Sequence, residues 1–214
     1  MAPAALVFDF NGTLSDDEPV LCRIYRELFA EYGRAISDED YYERLSGHAE
    51  HAIAEVCLGA GDPRIPEFVR QRIDRYRAAV ADGSTITEPL REAVRLAGAR
   101  VPLAVVSGAA REEIVPVVEA AGLGELLSRV VADDDVAEGK PHPESYLRAL
   151  ALLGNGIAAA DVLAFEDTEA GVASARAAGL RCVAVLGTQS RERLAAADDI
   201  VERIDAKLVR RLLS

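Results

Sequence analysis

An α/β fold with a mainly parallel sheet, interrupted by an all-helical insertion after the first strand, is what this sequence predicts. Short apolar runs bounded by turn residues recur at 4–8, 102–106, 129–131, 161–165 and 180–186. Their lengths suit strands, and their near-continuous hydrophobicity suits a sheet covered on both faces. Helical periodicity fills the intervals, and strands alternating with helices imply parallel pairing. Residues 17–85 break this rhythm and read as helices only.

Taken in order, the run Ala4–Phe8 ends in the carboxylate of Asp9 and the turn Phe10-Asn11-Gly12-Thr13-Leu14. Helices are expected over 18–32, 38–46, 49–58 and 65–81, separated by Gly33, Gly47 and the stretch Gly59–Pro63. A helical insertion between the first two strands is best explained as a small cap over the carboxyl edge of the sheet. A separate helical domain would leave Ala4–Phe8 without a strand partner. Beyond it, Ala109–Ala121 and Glu169–Ala178 are Ala-rich helices stopped by Gly122 and Gly179, and Pro143–Leu153 opens on a proline suited to a first turn. The expected division is a core of 1–15 and 86–214 with a cap of 16–85.

The chain has 214 residues, half of them hydrophobic, enough for a sizeable core with an insertion. Lys and Arg number 24 against 36 Asp and Glu, a net charge of -12, which argues against nucleic acid and anionic membrane surfaces. It leaves room for a small anionic substrate, because a few cations and backbone N–H groups suffice to bind phosphate. No stretch approaches the roughly 20 apolar residues of a membrane helix. The N-terminus runs into a strand without a basic start and apolar signal segment. Cys22, Cys57 and Cys182 lack CxxC spacing and are expected as free thiols, so a cytoplasmic location is expected. Oligomeric state is not readable.

In a parallel sheet, functional groups gather at the carboxyl ends of the strands. Those positions hold Asp9 and Asn11, then Ser107-Gly108, then Lys140, then Glu166-Asp167. Lys140 stands out because Lys207 is the only other lysine. Such a set can hold a divalent cation between Asp9 and Asp167 while Lys140 and Ser107 neutralise phosphate oxygens. Attack by Asp9 on phosphorus would be covalent catalysis. Simpler readings stand beside these: Ser107-Gly108 also suits a helix cap, and Asp133-Asp134-Asp135 suits a charged turn better than a second metal site. His142, between prolines, suits a structural role, and Arg70–Arg77 suits a solvated helix face.

At these residues the sequence resembles the haloacid dehalogenase superfamily, in its branch with a helical cap. Asp9-Phe10-Asn11-Gly12-Thr13-Leu14-Ser15-Asp16-Asp17-Glu18-Pro19 is similar to that branch's opening motif, Asp-x-Asp-Gly-Thr/Val-Leu-x-Asp-Ser/Thr-Glu-Pro. Val105-Val106-Ser107-Gly108, Gly139-Lys140-Pro141-His142-Pro143-Glu144 and Phe165-Glu166-Asp167-Thr168-Glu169-Ala170-Gly171 resemble the next motifs, in order and at plausible spacings. Phosphoglycolate phosphatases, sugar-phosphate phosphatases and β-phosphoglucomutases share the pattern. The resemblance implies a Rossmann-like core and a Mg²⁺ cofactor. Asp9 would be nucleophile and metal ligand, Asn11 would offer its backbone carbonyl to the metal, Asp167 would be a second carboxylate ligand, and Glu166 would support it. Thr13, Ser107, the Gly108 N–H and Lys140 would bind the phosphoryl group of a small phosphorylated metabolite, and Lys140 would also act in catalysis by bridging it to Asp9 and balancing charge. Gly47 and His48 would lie on the substrate-reading loop of the cap.

Asn11 departs from the pattern, which has a second aspartate there that protonates the leaving group and activates water. A carboxamide does neither, and such help is typically worth about 10²–10⁴-fold. Four accounts stay open: a leaving group that departs unprotonated, a substitute acid such as His48 or His51, binding without turnover, or deamidation of the Asn11-Gly12 pair. Dehalogenases change the same position but need no metal, whereas Glu166-Asp167 is kept here. Phosphonoacetaldehyde hydrolases use a cap lysine, and residues 17–85 contain none. The expected function is a Mg²⁺-dependent phosphatase acting through an aspartyl-phosphate on Asp9, slow or atypical because of Asn11. The alternatives are a phosphate-ligand binding or regulatory protein, or a sugar phosphomutase.

Overall fold

The computed structural model describes residues 2–154 and 156–214. Its strands form a six-stranded sheet in the order β3-β2-β1-β4-β5-β6, where β1 is Ala5–Asp9, β2 Leu103–Val106, β3 Val130–Val131, β4 Val162–Glu166, β5 Arg181–Val185 and β6 Asp199–Val201. Every pairing is parallel. The α/β fold is therefore the one expected, with five strands within a residue or two of their apolar runs.

The sixth strand, β6, is not named by the sequence reading, because a short edge strand that is largely exposed carries no apolar run. Nine α-helices complete the described residues: α1 Glu18–Glu31, α2 Asp38–Arg44, α3 Glu50–Leu58, α4 Ile65–Val80, α5 Glu88–Gly98, α6 Arg111–Ala120, α7 Glu144–Leu153, α8 Glu169–Ala177 and α9 Ala206–Leu212. The sequence reading also leaves α5 and α9 unassigned. Leu90, Ala93, Val94 and Ala97 form the buried stripe of α5, and it packs on α9.

The chain divides into two compact units, residues 1–16 with 82–214, and residues 17–81. In the first, strand alternation sends Ala5, Val7, Ala104, Val106, Ala164, Cys182 and Ala184 to one face, where Tyr146, Ala149 and Leu153 of α7 and Val172 and Ala175 of α8 cover them. Leu6, Phe8, Val105 and Phe165 take the other face, and the Phe8 and Phe165 rings stack at 5.2 Å. In the second unit, α1 packs on α2 and α4, and α3 on α4, around Tyr25, Leu28, Phe29 and Phe68. All three cysteines are buried free thiols. Among the described residues, no helix is long and apolar enough to cross a membrane.

Candidate active site

Strand order reverses at β1, which has β2 on one side and β4 on the other. In open parallel sheets such a switch point opens a crevice at the carboxyl ends of the strands. The register sets what lines it. Asp9 is level with Val106, so Ser107 follows at the same edge, and Phe8 is level with Phe165, so Asp9 comes beside Glu166.

Beyond Asp9 the chain turns back tightly. The N–H groups of Leu14 and Ser15 donate to the Phe10 carbonyl at 2.9 and 2.8 Å, and Gly12 N–H donates to Ser15 O at 2.8 Å. Gly12 has φ +73°, and a Cβ there would strike the Asp167 carboxylate and lie 2.6 Å from Thr188 Oγ1. Glycine is thus required twice, by its backbone angle and by the closeness of the β4 edge. Thr13 Oγ1 donates to Asp167 Oδ1 at 3.2 Å. The hydroxyl expected on phosphate is in this structure turned to a carboxylate.

Ser107 Oγ accepts from Ala109 N–H at 3.0 Å and lies 3.4 Å from Asn11 Oδ1. It caps the turn before α6 and touches Asn11, so the capping role coexists with a place at the site. Gly108 is exposed, with open space where a side chain would be. Lys140 arrives on the loop before α7, which is pinned by Glu144 Oε2 accepting from the N–H groups of Ala137 and Glu138, both at 3.1 Å. Ser174 Oγ adds a bond to the His142 carbonyl at 2.7 Å. The Lys140 ammonium bridges Asp9 Oδ1 and Glu166 Oε1, the latter at 2.5 Å.

Asp9, Asn11, Thr13, Ser107, Gly108, Lys140, Glu166 and Asp167 therefore come from four segments to one edge. Gly47 and His48 belong to the other unit, on an exposed stretch between α2 and α3. Asp133–Asp135 forms a 3-10 turn in which Asp135 accepts from Arg111 at 2.6 Å, as a charged turn would. The sequence reading missed Tyr146, and named Gly171 within a motif without giving it a role. Tyr146 donates to Glu166 Oε1 at 2.6 Å. A Cβ on Gly171 would collide with the Glu166 carboxylate. Nothing in the local pattern marks Tyr146.

Ligand oxygens of Asp9, Glu166 and Asp167 all lie within 4.8 Å of one another, and all three residues are buried. Burial pushes the Asp9 carboxyl up to about 8, helped by Glu166 and opposed by Lys140. Burial works against the charge on Lys140, yet the two carboxylates raise it well above the ordinary lysine range. A divalent cation among these acidic groups would favour their ionised forms and balance the charge that one ammonium does not. The all-oxygen donor set fits a hard cation such as Mg²⁺.

The profile of the haloacid dehalogenase-like hydrolases matches residues 3–179. Among curated relatives, "Protein CbbY" of Rhodobacter capsulatus is 35% identical over 197 residues, covering 84% of this chain and 83% of that one. "Fructose-1-phosphate phosphatase YqaB" of Escherichia coli is 30% identical over 184 residues, covering 85% and 96%. The crystal structure of CbbY from Rhodobacter sphaeroides in complex with phosphate is 28% identical, has a TM-score of 0.83 and covers 96% of each chain. Fold, matched profile and the gathering of four motif segments at one sheet edge agree: the chain belongs to the haloacid dehalogenase-like hydrolase family.

Proposed function

We propose that this chain is a Mg²⁺-dependent phosphatase that hydrolyses a small phosphomonoester through an aspartyl-phosphate on Asp9. The observation that carries the reading is the Lys140 ammonium held between the Asp9 and Glu166 carboxylates, with Asp167 beside them. Relatives named as phosphatases and a relative's complex with phosphate support the substrate class.

Asp9 and Asp167, with the Asn11 carbonyl, would hold Mg²⁺, and Glu166 would support them. Bound there, the ion supplies charge neutralisation on the phosphoryl oxygens. The Gly108 N–H and the Ser107 hydroxyl face the phosphoryl group, and Lys140 screens the approach of one anion to another. An Asp9 oxygen forms a bond to phosphorus as the bond to the leaving oxygen breaks. Water then cleaves the acyl phosphate, returning Asp9 and releasing phosphate. Thr13 acts from behind by orienting Asp167. Gly47 and His48 of the helical unit are the residues proposed to read the rest of the substrate.

Asn11 favours a second reading, a protein that binds a phosphorylated ligand with little turnover. A mutase needs the same missing proton transfer and is disfavoured equally. Phosphate release from a panel of phosphomonoesters, with Mg²⁺ and with chelator, decides between the first two. Intact mass must show Asn11 undeamidated. Turnover that requires Mg²⁺ and vanishes in Asp9→Asn establishes the phosphatase; ligand binding without turnover establishes the alternative.

A further inference from the structure

The Glu166 carboxylate, wholly buried at the end of β4, is gripped on both oxygens. Oε1 accepts from the Tyr146 hydroxyl at 2.6 Å and lies 2.5 Å from the Lys140 ammonium. Oε2 accepts from Thr168 Oγ1 at 3.4 Å. Gly171 keeps the space clear in which a Cβ would displace the carboxylate. Tyr146 is itself fully buried on α7, and its ring centroid lies 5.7 Å from the Lys140 Nζ. The tyrosine therefore meets the lysine twice, through the shared oxygen and along its ring face.

Two donors on one oxygen compete for the same electron density. With the phenol in place, Glu166 Oε1 draws Lys140 less strongly, and more of the ammonium's interaction is left for Asp9 and for an arriving phosphate. Without it, Lys140 would settle on Glu166. We propose that Tyr146 is a positioning residue that acts through Glu166 to set where the Lys140 ammonium sits between Glu166 and Asp9. Its effect on turnover rests on the phosphatase reading above; its effect on Lys140 does not.

The chain's own composition supplies the test. Lys140 and Lys207 are the only lysines, so isotope-labelled lysine side chains give two ammonium-end signals in nuclear magnetic resonance. The exposed Lys207 serves as internal reference. Tyr146→Phe should move the Lys140 signal and leave that of Lys207 in place. Glu166→Gln should also move it, and the double variant should move it no further than Glu166→Gln alone. Mg²⁺ affinity by calorimetry should be unchanged in Tyr146→Phe, while kcat falls about 10-fold with little change in KM. If Tyr146→Phe does not fold, 3-fluorotyrosine at position 146, which keeps the ring and strengthens the hydroxyl donor, should still move the Lys140 signal. A Lys140 signal in the variant that superimposes on wild type overturns the proposal. So do single-variant shifts that simply add in the double variant, since Tyr146 would then act without Glu166. A wild type that hydrolyses nothing removes the phosphatase reading and leaves the signal of Lys140 to decide this one.

Discussion

Both units of this molecule bury charge, and they do so to different ends. In the helical unit, Asp17 accepts from the Tyr76 hydroxyl, and Glu18 Oε2 accepts from Tyr41 OH at 3.0 Å and Ser46 Oγ at 3.2 Å. Arg72 pairs with Glu50 at 2.5 Å and lies over the rings of Tyr25 and Tyr76. Each of these contacts links one helix to another or to the segment beside it. In the core unit, buried charges arrive on separate segments and converge at the carboxyl ends of the strands, with carboxylate beside carboxylate. Burial of charge alone therefore does not mark a site. Convergence of like charges at the strand ends, at an electrostatic cost that a bound cation relieves, does.

The largest effect that tests this contrast is Asp9→Asn. Hydrolysis should fall by on the order of 10⁴–10⁶-fold, the scale of losing a nucleophile, with circular dichroism unchanged. Activity that survives would remove Asp9 from the centre of the site. Next comes Asn11→Asp, which restores a proton-carrying group beside Ser107. It should raise kcat/KM for alkyl phosphates by about 10²–10⁴-fold and much less for aryl phosphates, whose leaving groups depart unprotonated. Equal gains for both classes would mean that proton transfer was not what Asn11 withholds.

A smaller effect is expected from Gly171→Ala. Alanine in an open helix gains about 0.8–1 kcal/mol over glycine, but here the added Cβ meets the Glu166 carboxylate. Overpacking should reverse the sign, for a net loss of about 1–3 kcal/mol in urea unfolding. A stabilised variant would show that Glu166 is not held as described.

An effect of similar size, confined to a pH window, belongs to the helical unit. Burial, then the neighbouring Asp17, pushes Glu18 up to about 7. Because the folded state binds this proton more tightly than the unfolded chain, the contribution of Glu18 to stability is greatest below the ordinary carboxylate range. It declines as pH rises towards about 7 and is level above that. Glu18→Gln should flatten this decline and raise the melting temperature by a few °C at about pH 8, an effect of roughly 1–3 kcal/mol. The same pH dependence of melting temperature in Glu18→Gln and wild type would contradict the burial of Glu18.

How much of this was legible beforehand follows from the range of each interaction. The five apolar runs became strands because continuous hydrophobicity is a local property. The helices of the insertion followed from periodicity, and α2 carries its own start signal, a capping box between Ser37 and Asp40. Strand β6 stayed hidden because its edge position spares it an apolar run. The residues at strand ends could be named from their place after each run, and so Asp9, Ser107, Lys140 and Asp167 were found.

The resemblance paired Lys140 with Asp9, but most other partners could not be named. Thr13 turned to Asp167 across 154 positions, and Tyr146 reached Glu166 across 20. Such pairings depend on parallel register, which is set by packing on two faces of the sheet and leaves no short-range trace. The amino-acid order by itself determined which groups reach the sheet edge and that position 11 carries an amide. Only the tertiary structure decided how they are shared: one ammonium between two carboxylates, one carboxylate between a lysine and a tyrosine, and two glycines that leave room, Gly12 for Asp167 and Gly171 for Glu166.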